Sequence, residues 1–426
     1  MSMKLRNRLI ALVCLIFFLS IGAALFLTTT NRKPFAVIVF VADNISPSSV
    51  AAARLFSGGG DARLQIEDLP NTAISRNSAN DYSVPDAASA STAIAAGKRV
   101  NRGALCMMPS GSSLTSLLEE AMSQGRATGL LSTGKLTTPT TAVYYSKTLN
   151  ASDTNGILTQ FANHQPFDFV VGGGGEETIP SLENHNSQKG LKTTDLTLSG
   201  VRSYSIIRSV AELENQPFWK KVPTLGILPI AALSQSGFGE GNPEAPSLSD
   251  LVRIAIRNLQ SNGKGYLLVI DDPMIGDAAL SNDAESMLGR ILSFDRAVAT
   301  ARRYAGENAL VIVTGRENIG GMSLNGYPFL RDKGVSVLAL NNDGYPSICW
   351  STGPGFAPEK VTHSSSSSSK TNTSSVGILT QPPAFRLPSS VGTAGDVLSL
   401  GTGPGSEKLH GFIDLTEIHR IIQEAL

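Results

Sequence analysis

The chain of 426 residues carries 35 Lys and Arg against 35 Asp and Glu, five His, 41% hydrophobic side chains and only 6% aromatic ones. That length suffices for one large core or two ordinary ones. Balanced charge and few aromatics give neither the basic footprint nor the stacking surface of a nucleic-acid binder, so no nucleic-acid partner is expected.

In chain order, Lys4, Arg6 and Arg8 precede an uncharged apolar run from Leu9 to Leu27, and the next charge is Arg32. About 20 apolar residues can cross a bilayer as a helix, and a basic flank stays on the cytoplasmic side. Residues 1–33 therefore read as a cytoplasmic stub, a signal-anchor helix and a linker. Residues 34–426 would lie outside the cytoplasm, periplasmic or extracellular, tethered to the membrane. The run exceeds the ~7–15 residues of a cleaved leader's core, yet Gly22-Ala23-Ala24 offers a cut, so cleavage stays open. Cys14 lies inside the run. Cys106 and Cys349 would both sit where a disulfide is permitted, and spacing does not decide whether they pair.

"FAVIVFVAD" reads as a strand buried on both faces, ending at Asp43. Ser46 and Pro47 supply an N-cap and a first-turn proline for a helix through Phe56. A helix of small residues follows Asp86 to Gly97, and another is expected over 113–124. Short strands follow at 128–132 and 167–171. In the second half a helix at 248–260 leads to the strand "YLLVIDD", and a long helix over 283–304 leads to "ALVIVTG". A strand "VSVLAL" and a helix from Thr416 to Ala425 complete the series. Strands alternating with helices predict an α/β fold: a doubly wound, mainly parallel sheet flanked by helices, preceded by the N-terminal hydrophobic helix. Residues 176–222 read as a cap over a sheet edge. Residues 355–392, with "THSSSSSSKTNTSS", read as a Ser/Thr/Pro-rich loop.

Ligands of such sheets bind beyond the carboxyl ends of the strands, which singles out Asp43, Asp271 and 314–317. Strand-end carboxylates suit a hard cation such as Mg²⁺, or simply cap the next helix. The five histidines, His164, His185, His363, His410 and His419, lack the short patterned spacing of a zinc site. "GGGG" at 172–175 could cradle phosphate, or form a tight turn at a strand end.

Six segments in this order resemble the alkaline phosphatase family over nearly the whole of 35–426. "VPDAASASTAIAAGKRVNRGAL" is similar to its nucleophile helix, "STGKLTTPTTAVYYS" to its Thr-Pro block and "FVVGGGG" to its Gly-rich turn. "GYLLVIDDPMIGDAALSNDAESMLGRILSFDRAV" resembles the segment holding Glu, Asp and His ligands. "LVIVTGRENIGG" resembles the Asp-His block, and "GTAGDVLSLGTGPGSEKLHGFIDLTEI" the last His-containing stretch. The resemblance implies two zinc ions, one magnesium ion, a serine nucleophile forming a phosphoserine, and a phosphate-clamping arginine. Homodimers are common in the family, so a homodimer is implied by analogy only.

Position by position, this chain departs from that pattern. The nucleophile's place holds Ala87. The first zinc site's ligands fall at Gly276, Leu280 and Gly392, and the second site's Asp-His pair at Arg316-Glu317. Asp43, Thr138 and Asp271 remain as a residual magnesium corner, although the block before Thr138 is two residues short. The clamping arginine falls near Leu149, with Lys147 the nearby cation. Ser89 and Ser91 are the candidate substitute nucleophiles, although Ser89 would lie about 200° around the helix, pointing away from the old site, and Ser91 a full turn further in. Zinc is not expected, and one Mg²⁺ at most. Arg316 would neutralise Asp43 or, with Lys147, bind an anion. The expectation is a catalytically degenerate phosphatase relative keeping a scaffold or ligand-binding role. The alternatives are a divergent Mg²⁺-dependent phosphomonoesterase and a protein that binds phosphate or an anionic ester without turnover.

Overall fold

The computed structural model describes residues 3–30, 35–164, 167–174, 197–198, 202–203, 205–216, 223–230, 233, 246–325, 337–338, 340, 344–356 and 381–426. Ten strands form one sheet: β1 (Ala36–Ala42), β2 (Asn71–Arg76), β3 (Ala127–Lys135), β4 (Phe169–Gly173), β5 (Ser205–Ile207), β6 (Thr224–Leu228), β7 (Tyr266–Asp272), β8 (Ala309–Gly315), β9 (Val397–Thr402) and β10 (His410–Asp414). Their spatial order is β10-β2-β9-β8-β1-β7-β3-β4-β6-β5. Every pairing is parallel except the two made by β9, which runs against β8 and β2.

β1 is buried throughout and alternates between the two faces. Ile38 and Phe40 join one core with the helices α2 (Pro47–Gly58), α7 (Leu248–Leu259) and α9 (Ala284–Ala305), where Phe40 meets Phe294 edge to face at 5.3 Å. Val37, Val39 and Val41 join the other core, with α3 (Ala87–Ala96), α4 (Leu117–Ser123), α5 (Pro139–Ala142), α6 (Thr154–Asn163) and α10 (Thr416–Ala425). Between α7 and α9 runs α8 (Met274–Leu280). Strands covered on both faces need the continuous apolar runs that the sequence displays.

At the N-terminus α1 spans Met3–Thr30 with exposed Leu, Ile and Phe side chains, residues 31–34 being outside the described set. Among the described residues, no helix is long and apolar enough to cross a membrane.

Three expectations shift. The helix expected from 113 begins at Leu117, because Ser113 bridges Met107 and Ser116 caps the helix with Glu119. Within the expected cap of 176–222, residues 176–196, 199–201, 204 and 217–222 lie outside the described residues, whereas Ser205–Ile207 form the sheet's edge strand. Of "VSVLAL", Val337 and Leu338 form a 3₁₀ turn and Leu340 bridges Pro346, so the described part is no strand of the main sheet. The Ser-rich stretch 357–380, with His363, lies outside the described residues, as does His185. Cys106 and Cys349 are both free thiols: Cys106 is buried and donates to Val143 O, and Cys349 accepts from Asn325. Gly172 and Gly173 belong to β4, where a Cβ would strike Leu136 or Ile230, so close packing rather than a phosphate cradle requires them.

Candidate functional site

Register fixes what meets at the carboxyl rim. Ala42 of β1 pairs with Gly315 of β8 and Asp272 of β7, and Ser132 of β3 pairs with Asp271. The next residues therefore emerge side by side. Arg316 N donates to Ala42 O, and Asn44 N to Glu317 O. Asn44 turns left-handed (φ 57°), a conformation Asn tolerates better than most residues, and its side chain bonds both polar backbone groups of Ile319. Asp43 and Arg316 are thereby held face to face.

The Arg316 guanidinium is planar and reaches two carboxylates at once. Nε and Nη2 each donate to one oxygen of Asp43 at 2.8 Å, and Nη1 donates to Asp271 Oδ1 at 2.6 Å. All three residues are at most 4% exposed. Asp271 Oδ2 accepts from Thr140 at 2.7 Å, Thr141 at 3.0 Å and Ser132 at 3.4 Å. Asn77 donates to the Arg316 carbonyl. Burial works against the charge on Arg316, but Asp43 and Asp271 outweigh it and hold the guanidinium above its ordinary value. Burial pushes Asp43 upward while the guanidinium fork pulls it down. With two 2.8 Å bonds to so firmly held a cation, Asp43 stands as its carboxylate partner. Burial and the nearby Asp43 raise Glu317 to about 8, leaving it protonated at neutral pH. Burial also raises Asp272, to about 6, against a bond from Thr133 and the charge of Arg290.

α3 starts at this rim. Its N-cap Asp86 accepts from Ser89 N at 2.9 Å and Ser89 Oγ at 2.7 Å through one oxygen, and from Gly103 N at 2.7 Å through the other. Ala87 occupies the first helical position, one of those lining a cavity of about 540 Å³. Ser89 is bound into the cap. Ser91 is buried, and its hydroxyl has no hydrogen-bond partner among the described residues. Neither serine lines the cavity.

That cavity gathers positions scattered through the sequence. Asp43, Ala87, Thr138, Gly276, Leu280, Glu317 and Gly392 all line it, and the buried Arg316 couples Asp43 to Asp271. Two assignments change. Thr138 is the N-cap residue of α5, and its hydroxyl bonds Lys135 O at 2.9 Å, because Pro139 begins the helix there. The threonine hydroxyls on Asp271, beside that of Ser132, belong to Thr140 and Thr141, and Thr140 sits two residues on, matching the two-residue shortfall visible in the block. Lys147 lies off the cavity. It is paired at 2.5 Å with Glu119, which holds its carboxyl at about 2 against burial with help from His164, Lys147 and Ser116 N. Among the described residues, the cations that line the cavity are Arg102 and Lys135, neither singled out by sequence; "GKRVNRG" shows a basic cluster but not which member turns inward.

The metals implied by the resemblance do not fit these residues. The side chains at Gly276, Leu280 and Gly392 offer no donor atom. A Cβ at Gly276 would collide with Asp43, so no longer side chain has room there as the chain stands. Among the described residues, no three His, Cys, Asp or Glu side chains are grouped to hold an ion. At the residual corner of Asp43 and Asp271, the guanidinium already takes both Asp43 oxygens and one of Asp271.

A family model described as alkaline phosphatase matches residues 35–426. Alkaline phosphatase 4 of Bacillus subtilis is 26% identical over 301 residues, 68% of this chain and 62% of that protein, so the chain spans less than two thirds of that relative. The tissue-nonspecific alkaline phosphatase of Gallus gallus is 25% identical over 377 residues, 75% of this chain and 71% of that one. Among solved structures, Thermus thermophilus alkaline phosphatase aligns with a TM-score of 0.68 at 20% identity, covering 93% of this chain and 92% of that one. Alkaline phosphatase from the Antarctic bacterium TAB5 aligns at 0.64 and 21%, covering 92% and 98%.

Proposed function

Because the chain belongs to the alkaline phosphatase family over residues 35–426, we propose that it is a catalytically degenerate member which keeps the scaffold for binding or assembly. One observation carries this reading: the cavity where the family resemblance puts the nucleophile and its ligands is lined by Ala87, Gly276, Leu280 and Gly392. A methyl group cannot attack phosphorus, and a serine without a base or metal beside it is a weak nucleophile. Asp86, the carboxylate next to Ala87, already accepts three hydrogen bonds. The purified chain, incubated with an aryl phosphate and Zn²⁺ or Mg²⁺, is expected to show no turnover. Turnover abolished by Asp43→Ala would instead support a divergent Mg²⁺-dependent phosphomonoesterase.

A second reading is favoured by Arg102 and Lys135, which line the cavity beside the first turn of α3. A helix N-terminus and two cations suit a bound anion. In that reading the protein holds phosphate or an anionic ester without cleaving it. Phosphate would then raise the melting temperature of the parent, and Arg102→Ala would lose the effect.

Export and tethering through the apolar run 9–27 belong to the same proposal. Its support is the basic flank at Lys4, Arg6 and Arg8 and the exposed apolar side chains of α1, among them Leu15, Phe17, Phe18 and Leu19.

A further inference from the structure

We propose that Arg316 is a resident structural cation: its guanidinium binds the Asp43 and Asp271 carboxylates together in place of a divalent ion, and its removal uncovers an oxygen-lined site for Mg²⁺. The geometry is complete on three sides. Two parallel bonds of 2.8 Å bind both Asp43 oxygens, and one of 2.6 Å binds Asp271 Oδ1. The remaining Asp271 oxygen accepts the Thr140 and Thr141 hydroxyls, which spread its charge without adding any. Two carboxylates without a counter-charge could not both stay ionised at 4% and 1% exposure. Their backbones come from β1 and β7, adjacent central strands, so repulsion between them would act on the middle of the sheet.

Arginine differs from a bound ion in one respect that matters. It stays protonated at any pH at which the protein folds, and it is covalently part of the chain. Chelation therefore cannot remove it. Taking the guanidinium away leaves both Asp43 oxygens and Asp271 Oδ1 facing one vacated volume, with hydroxyls behind. An all-oxygen set of this kind prefers Mg²⁺ or Ca²⁺ to Zn²⁺. The inference rests on this geometry and not on the loss of turnover, since a chain that hydrolysed esters by another route would hold its sheet in the same way.

The test is thermal unfolding of the full chain and of Arg316→Ala, each in EDTA, in millimolar MgCl₂ and in millimolar guanidinium chloride. The parent's curves should superimpose in all three. Arg316→Ala should melt roughly 5 °C or more lower in EDTA and recover in Mg²⁺ or guanidinium. Arg316→Lys keeps the charge but not the fork. It should fold, melt between the other two and ignore Mg²⁺; if it is no more stable than Arg316→Ala, the role of charge is refuted. A parent that loses stability in EDTA, or that carries stoichiometric divalent metal by elemental analysis, overturns the proposal even if Arg316→Ala does not fold. So does an alanine variant that neither cation restores, because the arginine would then contribute packing alone.

Discussion

Glu317 lies beside the ion pair and carries a different charge state. Burial, with Asp43 nearby, raises it from 4.5 to about 8. The native state then keeps a proton that the unfolded chain releases, so this group's contribution is full below pH 4.5 and is lost as pH rises through 8. The slope approaches roughly 1.4 kcal/mol per pH unit inside that window. Glu317→Gln should match the parent in urea unfolding near pH 5 and exceed it at pH 9; parallel curves would count against a buried neutral carboxyl. Asp43→Asn leaves the buried Arg316 with one charged partner and should cost about 3–5 kcal/mol by the same measurement, whereas a loss under ~1 kcal/mol would resemble a surface pair. Ala87→Ser places a hydroxyl at the first turn of α3, but its neighbour Asp86 is already bound to Ser89 and Gly103. It should give neither aryl phosphate turnover nor a phosphorylated peptide by mass spectrometry.

Among the elements, the start of α3 depends on Asp86, which satisfies Ser89 N and Gly103 N together. Asp86→Ala removes a cap, worth about 1 kcal/mol, and strands the Gly103 amide as well. Its loss in chemical denaturation should exceed that of Ser89→Ala, and equal losses would mean that the Gly103 bond contributes nothing. This helix was legible in the sequence because its cap and its terminal Gly97 stand at the two ends of a run of small residues. The strands β1, β7 and β8 were legible as apolar runs, and their carboxyl ends located the rim. Thr140 was not, because choosing among four threonines in "TTPTT" depends on where Pro139 starts a helix. The pairing of Lys147 with Glu119 escaped for a related reason: it joins residues on different elements, and no pattern in either segment encodes the meeting. Arg316 was visible as a charge in the wrong place, but its choice between a carboxylate and an external anion rested on register, which a strand's composition does not specify.

For the molecule as a whole, the proposed tether through residues 9–27 predicts that the intact chain fractionates with membranes and resists alkaline carbonate, while the same chain begun at residue 34 remains in the supernatant. Recovery of the intact chain in the soluble fraction would remove the tether from the reading. The crowding of Gly276 against Asp43 also limits which side chains this rim can take. A carboxylate placed at 276 would land on an oxygen that Arg316 already holds, and an imidazole placed at 317 would arrive next to a fixed positive neighbour. Losing Arg316 first would strand two acids in the middle of the sheet. Each single replacement toward a metal centre thus costs folding stability at its first step, which makes the arrangement a latch that opens only to several replacements made together.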